Sequence, residues 1–194
     1  MITDTESSTP FPSLAGQLIA AMPGLPDPNF SGTLSLICEH DAKGAIGFVI
    51  NQPTPITLID VFEQLEIPIS EDLENDRVLC GGPVSNERGF VLHKKDGQVW
   101  SASLDVSEDI AVTASQDIIE ALASNTAPKG AILILGYAGW GKGQLEKEVL
   151  ENSWLNLPAS DQVLFDTDYE DRLNVATAAA GINFSRLSTA PGSA

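Results

Sequence analysis

Residues 131–146 run AILILGYAGWGKGQLE: an apolar segment, then a stretch from 136 to 143 in which every second or third residue is glycine, then a charged amphipathic pattern. The spacing predicts a strand over Ala131–Leu135, a glycine-rich loop over Gly136–Gly143 and a helix over Gln144–Leu155, with Leu145, Val149 and Trp154 facing inward. Gly136, Gly141 and Lys142 satisfy the G-x-x-x-x-G-K spacing of a phosphate-cradling loop. The next residue is Gly143, where that chemistry needs a Ser or Thr hydroxyl for Mg²⁺. The loop also comes too late in the chain for the several parallel strands such a domain requires. A crossover that carries Tyr137 and Trp140 into the core is the simpler reading. Free N–H groups of Gly139, Gly141 and Gly143, with Lys142 beside them, remain a candidate cradle for a small anion.

Upstream of this stretch, Leu14–Ala20 fits strand or helix, and the three prolines between Met22 and Phe30 demand an extended loop. Thr33–Cys38 and Ala45–Ile50 form a hairpin around the polar turn 41–44. Thr57 and Asp60 make a capping box, opening a helix with Leu58, Val61, Phe62 and Leu65 as its stripe and Pro68 beyond its end. Val78–Cys80 is a short strand stopped by Gly81-Gly82-Pro83. Gly89–His93 and Gln98–Leu104 are expected to pair across Asp96-Gly97, which leaves Arg88, His93, Lys94 and Lys95 at a solvated tip. Ser115 caps a helix carrying Ile118, Ile119 and Leu122. Val163–Phe165 reads as a late strand, and Tyr169–Ala180 as a helix closed by Gly181. Hairpins followed by interleaved helices and strands give an α+β domain over 13–187 with a mixed, largely antiparallel sheet; 1–12 and 188–194 are polar tails. The regular βαβ succession of a doubly wound nucleotide fold is missing.

The chain has 27 acidic and 10 basic residues in 194, a formal charge of −17. Nucleic-acid affinity comes mainly from Lys and Arg on phosphates, so direct nucleic-acid binding is not expected. The sequence also shows no signal peptide and no apolar run long enough to span a bilayer. Cys38 and Cys80 sit in apolar strand-like runs and are expected to be buried free thiols in the cytoplasm.

Four segments together resemble the AlgH/YqgE family of bacterial proteins. They are Leu18–Pro23 with Asp27–Phe30; Glu39-His40 with Gly44–Asn51; Gly81–Val84 with Arg88–His93; and Leu135–Glu146 continuing to Asn152 and Trp154. Gln52 departs from the basic residue usual before the proline, and Leu173 stands after Arg172 where Trp is common. The resemblance implies a forked sheet curled into a pseudo-barrel with flanking helices, and no established catalytic activity. It also implies that some relatives are described as candidate transcriptional regulators of exopolysaccharide production.

Three constellations invite chemistry. Cys38 and His40, two apart on a strand, could share a face and join Cys80 and His93 around zinc, although neither pair has the usual close spacing. His40 between Glu39 and Asp41 could act as a base, but neighbours on a strand point to opposite faces. It fits better as a turn-positioning residue, with Asn51 doing the same through its amide. Trp100, Trp140, Trp154 and Tyr137 could stack on bases or sugars, and more simply fill the core. The ligand-binding candidates are therefore His40, Asn51, Gly139, Gly141, Lys142 and Gly143, with no metal and no cofactor. The expected function is non-enzymatic binding of a small anionic ligand or a protein partner. The alternatives are a phosphate- or nucleotide-directed hydrolase or transferase at the glycine loop, and a DNA-binding regulator, which the charge disfavours.

Overall fold

A computed structural model describes residues 11–187; the tails expected at 1–12 and 188–194 lie outside the described residues, apart from Phe11 and Pro12. The elements in chain order are β1 (Leu18–Ala21), β2 (Leu34–Asp41), β3 (Gly44–Val49), β4 (Pro53–Thr57), α1 (Leu58–Gln64), β5 (Arg77–Cys80), β6 (Val84–Lys94), β7 (Ser103–Asp105) and β8 (Ile110–Thr113). Then come α2 (Gln116–Ala123), β9 (Ile132–Gly141), α3 (Gln144–Leu150), β10 (Trp154–Leu157), α4 (Asp161–Phe165), α5 (Arg172–Ala179) and α6 (Phe184–Leu187).

The strands form one mixed sheet in the order β10-β1-β2-β3-β9-β6-β8-β7, with β4 and β5 branching from β9. Pairing is antiparallel throughout except between β5 and β9. The fork lies along β9. Its later residues, 138–141, pair with β3, whereas Ile134 and Leu135 pair with β5 and also with β6. The sheet curls into a half-barrel, as the family resemblance implies.

Alternation along the strands sorts the core into two faces. Leu36, Phe48, Leu79, Leu92 and Ile134 point to one side and pack with Val163, Leu164 and Ala176 of α4 and α5. The neighbouring Val78, Val91 and Leu133 point the other way, under Phe62 of α1 and Ile118 and Leu122 of α2. Ile37, Trp140 and Trp154 also face that way, under Leu145 of α3. Each such fully buried aliphatic side chain contributes about 1.5–3 kcal/mol by leaving water.

The structure corrects several expectations. The 136–143 stretch is not a loop: β9 runs through Gly141, because the small residues Gly44, Ala45 and Gly47 of β3 let its backbone pair alongside. No hairpin joins 89–93 to 98–104. Instead β6 pairs with β8, and β7 pairs with β8 from its other side. The apolar Ile110–Val112 segment outcompetes Gln98–Ser101 for the ladder, and all four β8 residues are buried. The basic run is accordingly split. His93 is buried between Thr113 Oγ1 and the Lys94 carbonyl, while Lys94 pairs with Asp161 and Lys95 with Asp105. Residues 163–165 are helical, with Ser160 Oγ accepting from the Val163 N–H at 3.3 Å. Helix α3 stops at Leu150, and Asn152 turns the chain at φ 57° so that Trp154 enters β10 rather than extending the helix. Leu65, expected in the α1 stripe, is exposed past the end of that helix.

Both sequence-predicted caps sit at their helix starts, but they act differently. Thr57 and Asp60 make the reciprocal capping box. Ser115 gives no side-chain bond to the α2 backbone; its hydroxyl donates to Asp117, which also accepts from the Ser101 hydroxyl and backbone N–H and from the Ile118 N–H. These donors, led by Ser115 and Ser101, hold the Asp117 carboxyl down at about 2. A depressed carboxyl supports the fold above its unfolded value of about 4 and stops doing so as pH falls through its folded value. Wild-type stability is therefore expected to fall more steeply than that of Asp117→Asn between about pH 4 and pH 2, measured by urea unfolding across that window.

Candidate functional site

The residues singled out in the sequence are largely committed to the scaffold. His40 Nδ1 accepts from the Leu14 N–H at 3.0 Å, which places its ring proton on Nε2, 3.3 Å from Glu146 Oε1. Asn51 accepts from the Leu34 N–H through Oδ1 and donates to the Gly32 carbonyl through Nδ2, closing the end of the β2–β3 pair. Gly139 lies opposite Ile46 and Gly141 opposite Gly44 in the ladder, and the Gly141 N–H donates to Gln144 Oε1. Lys142 is exposed, and Gly143, at φ 70°, precedes a helix of only seven residues.

A bulge at Cys38 overturns the shared face proposed for Cys38 and His40. The register passes from Ile37 opposite Gly47 to Glu39 opposite Ile46, so the extra residue flips the alternation. Cys38 joins the cluster of Leu36 and Phe48, whereas His40 stands opposite Ala45, in the other cluster, beside Phe11. Burial pushes the Cys38 thiol up. Cys80, expected to be buried, is exposed. Among the described residues no three His, Cys, Asp or Glu side chains gather as a metal site.

Helix α3, which follows the glycines, instead builds a clasp. Glu148 Oε2 accepts from the indole N–H of Trp140 at 3.0 Å and of Trp154 at 2.8 Å, and Oε1 accepts from Gln144 at 2.9 Å. The two indoles meet edge to face with centroids 5.8 Å apart, and Phe30 stacks on Trp140. One turn of α3 thus presents Glu146 to His40, Glu148 to both tryptophans and Leu145 to the core. The aromatics fill space here and offer no stacking platform.

The open space with the most chemistry lies elsewhere, at the seam where β5, the start of β9 and the segment joining α4 to α5 meet. A cleft of about 370 Å³ is lined by apolar Leu58, Leu79, Leu133 and Phe165, by Glu74, Asp76, Asp166 and Asp168, and by Arg77 and Arg172. Arg172 opens α5 and is 6% exposed. Its Nη1 donates to the Ile50 carbonyl and its Nε to the Thr167 carbonyl. Among the described residues no carboxylate lies within ion-pair distance of it. Burial lowers its pKa to about 10, against the opposing pull of Asp168.

Asp76 leaves much of its surface in solvent, yet its carboxyl is held above the usual range, first by desolvation and then by Glu74 and Asp168. A raised carboxyl takes up its proton more readily folded than unfolded. Its ionisation therefore costs stability as pH rises through the folded value, and costs nothing below the unfolded value of about 4. Asp76→Asn is expected to raise the melting temperature at pH 7, with the gain vanishing below about pH 4. Thermal unfolding at the two pH values checks this.

No local motif announces this cleft; the one local signal is Arg172 itself, an arginine beginning an otherwise uncharged helix, RLNVATAA. Two further surface hollows are shallower in chemistry: one holds Cys80 with Gln52 and Asn86, the other Glu39, Asp41 and Lys43.

The AlgH-like family model matches residues 18–185. The chain belongs to the AlgH-like family. A UPF0301 protein of Saccharophagus degradans is 47% identical over 189 residues, covering 97% of this chain and 93% of the relative. A UPF0301 protein of Xanthomonas campestris is 47% identical over 182 residues, covering 93% and 96%. The solution structure of the AlgH protein from Pseudomonas aeruginosa is similar at a TM-score of 0.73 and 40% identity, covering 93% of this chain and 96% of that one. The crystal structure of DIP2367 from Corynebacterium diphtheriae, at a TM-score of 0.71 and 17% identity over 90% and 91%, shares the fold. The AlgH-like match spans the half-barrel and its helices. Among the described residues no helix is long and apolar enough to cross a membrane.

Proposed function

We propose that this AlgH-like protein is a non-enzymatic binding protein that receives a small charged ligand in the seam cleft. The observation that carries this is Arg172. Burying a guanidinium without an ion pair is costly, and a cleft-lining guanidinium that among the described residues bonds only two neutral carbonyls leaves charge for a ligand to match. A catalytic role, at the glycine stretch or at His40, draws little support. Both His40 nitrogens and both polar atoms of the Asn51 side chain are engaged, and Gly136, Gly139 and Gly141 of the expected phosphate loop belong to the paired strand β9.

The ligand reading places the site away from the glycines and from Lys142. Native mass spectra of the untagged protein, after incubation with a low-molecular-weight cell extract, should show a non-covalent adduct that Arg172→Lys, which removes the guanidinium fork, weakens. A bare mass in every spectrum, for wild type and variant alike, contradicts the reading.

The alternative role, on duplex DNA, is opposed by charge. The net charge is −17, and α3 carries Glu146 and Glu148. Fluorescence anisotropy at physiological ionic strength is expected to show no salt-dependent binding to a duplex. The two free thiols suit a reducing cytoplasm, where we place the protein.

A further inference from the structure

We infer that the ligand of the seam cleft is a small zwitterion, a free molecule bearing a carboxylate and an ammonium on an apolar stem, with Arg172 as the carboxylate anchor and Asp76 and Asp168 as the ammonium acceptors. This rests on the reading of the cleft as the binding site.

The planar guanidinium fork carries more N–H groups than the two carbonyls of Ile50 and Thr167 use, and the rest have no partner among the described residues. A carboxylate matches such a fork in two parallel hydrogen bonds. A plain anion would nevertheless meet Glu74, Asp76, Asp166 and Asp168 around the same cleft, with only Arg77 added on the positive side. The Arg77 Nη1 already donates to the Thr54 carbonyl. A second, positive group on the ligand turns that repulsion into attraction.

A bare metal ion does not suit these carboxylates, since no three of them gather into a metal site among the described residues. An organic ammonium needs no such convergence. The apolar residues Leu58, Leu79, Leu133 and Phe165 give the stem its lining, and about 370 Å³ holds a molecule of amino-acid size. A polypeptide terminus offers one of the two charges but not both at one carbon, so the free molecule is favoured.

The test uses L-phenylalanine, 3-phenylpropanoate and 2-phenylethylamine, which differ only by the ammonium or the carboxylate. Each is titrated at pH 7 into the isotope-labelled full chain, following the backbone amides of Gly130, Ala131, Asp168 and Tyr169. Phenylalanine is expected to move these signals with a dissociation constant on the order of millimolar, as befits a ligand of few atoms. Both analogues should bind about tenfold more weakly or worse. Asp168→Asn, at an exposed position, should weaken phenylalanine binding and, by removing one repelling charge, bind 3-phenylpropanoate at least as tightly as wild type does. An analogue that moves the same amides as tightly as phenylalanine overturns the zwitterion while leaving the cleft as the site. If none of the three moves them, the zwitterion is overturned as well, and mapping with cell extract then decides whether the cleft is a site at all.

Discussion

Glu148→Ala is expected to destabilise the protein by about 2–5 kcal/mol, because it removes the acceptor of two indole N–H groups at once. Trp140 and Trp154 are 5% and 4% exposed, so neither N–H can turn to bulk water without moving its ring. Each orphaned donor costs about 1–3 kcal/mol. The same change releases Gln144, whose other end holds the Gly141 N–H, so the start of α3 loosens with it. Glu148→Gln keeps one acceptor oxygen for the indoles and should lose about half as much or less. Urea unfolding followed by tryptophan fluorescence reports both the midpoint and the packing of the two rings. An unchanged midpoint for Glu148→Ala would mean that the clasp contributes nothing to the fold.

Gly82→Ala should be as damaging, for a backbone reason. Residues 81 and 82 cross β9 so closely that a Cβ on Gly82 would lie 2.3 Å from both the carbonyl carbon and oxygen of Tyr137. Those are main-chain atoms of a strand paired on both edges and cannot step aside. Gly82 also holds φ 151°, where a side chain is strained. Strain and overpacking each cost about 1–3 kcal/mol, so a loss of about 3 kcal/mol or more is expected. Gly24→Ala is the control: nothing lies within 4 Å of its Cβ and its φ is ordinary, so its stability should stay within about 0.5 kcal/mol of wild type.

These two variants also mark what the sequence could and could not disclose. The Thr57–Asp60 box and the 33–38/45–50 hairpin were legible because each is specified by residues a few positions apart. The glycine stretch was misread because glycine ends strands far more often than it sustains them. Here it sustains one, since small residues on β3 and the Gly81-Gly82 crossing need a thin neighbour. The Cys38 bulge left no mark in the alternation of Leu34–Ile37.

Function was less legible still. Glu146 and Glu148 read as part of a charged amphipathic pattern, and only the folded chain shows Glu146 beside His40 and Glu148 accepting from Trp140 and Trp154. The seam cleft draws on residues near 58, 74–79, 130–133 and 165–172, so no spacing could reveal it. Its key groups, Asp76 and Arg172, become distinctive only when burial and neighbours act on their charges.

The most direct test of the central claim is chemical-shift mapping of the labelled full chain with the low-molecular-weight fraction of a cell extract. The account predicts perturbations concentrated at residues 74–77, 130–133 and 165–172, and quiet signals at Gly139–Gly143. Perturbations centred on Gly139–Gly143, or on the hollow around Cys80, or a spectrum that does not change, would contradict it.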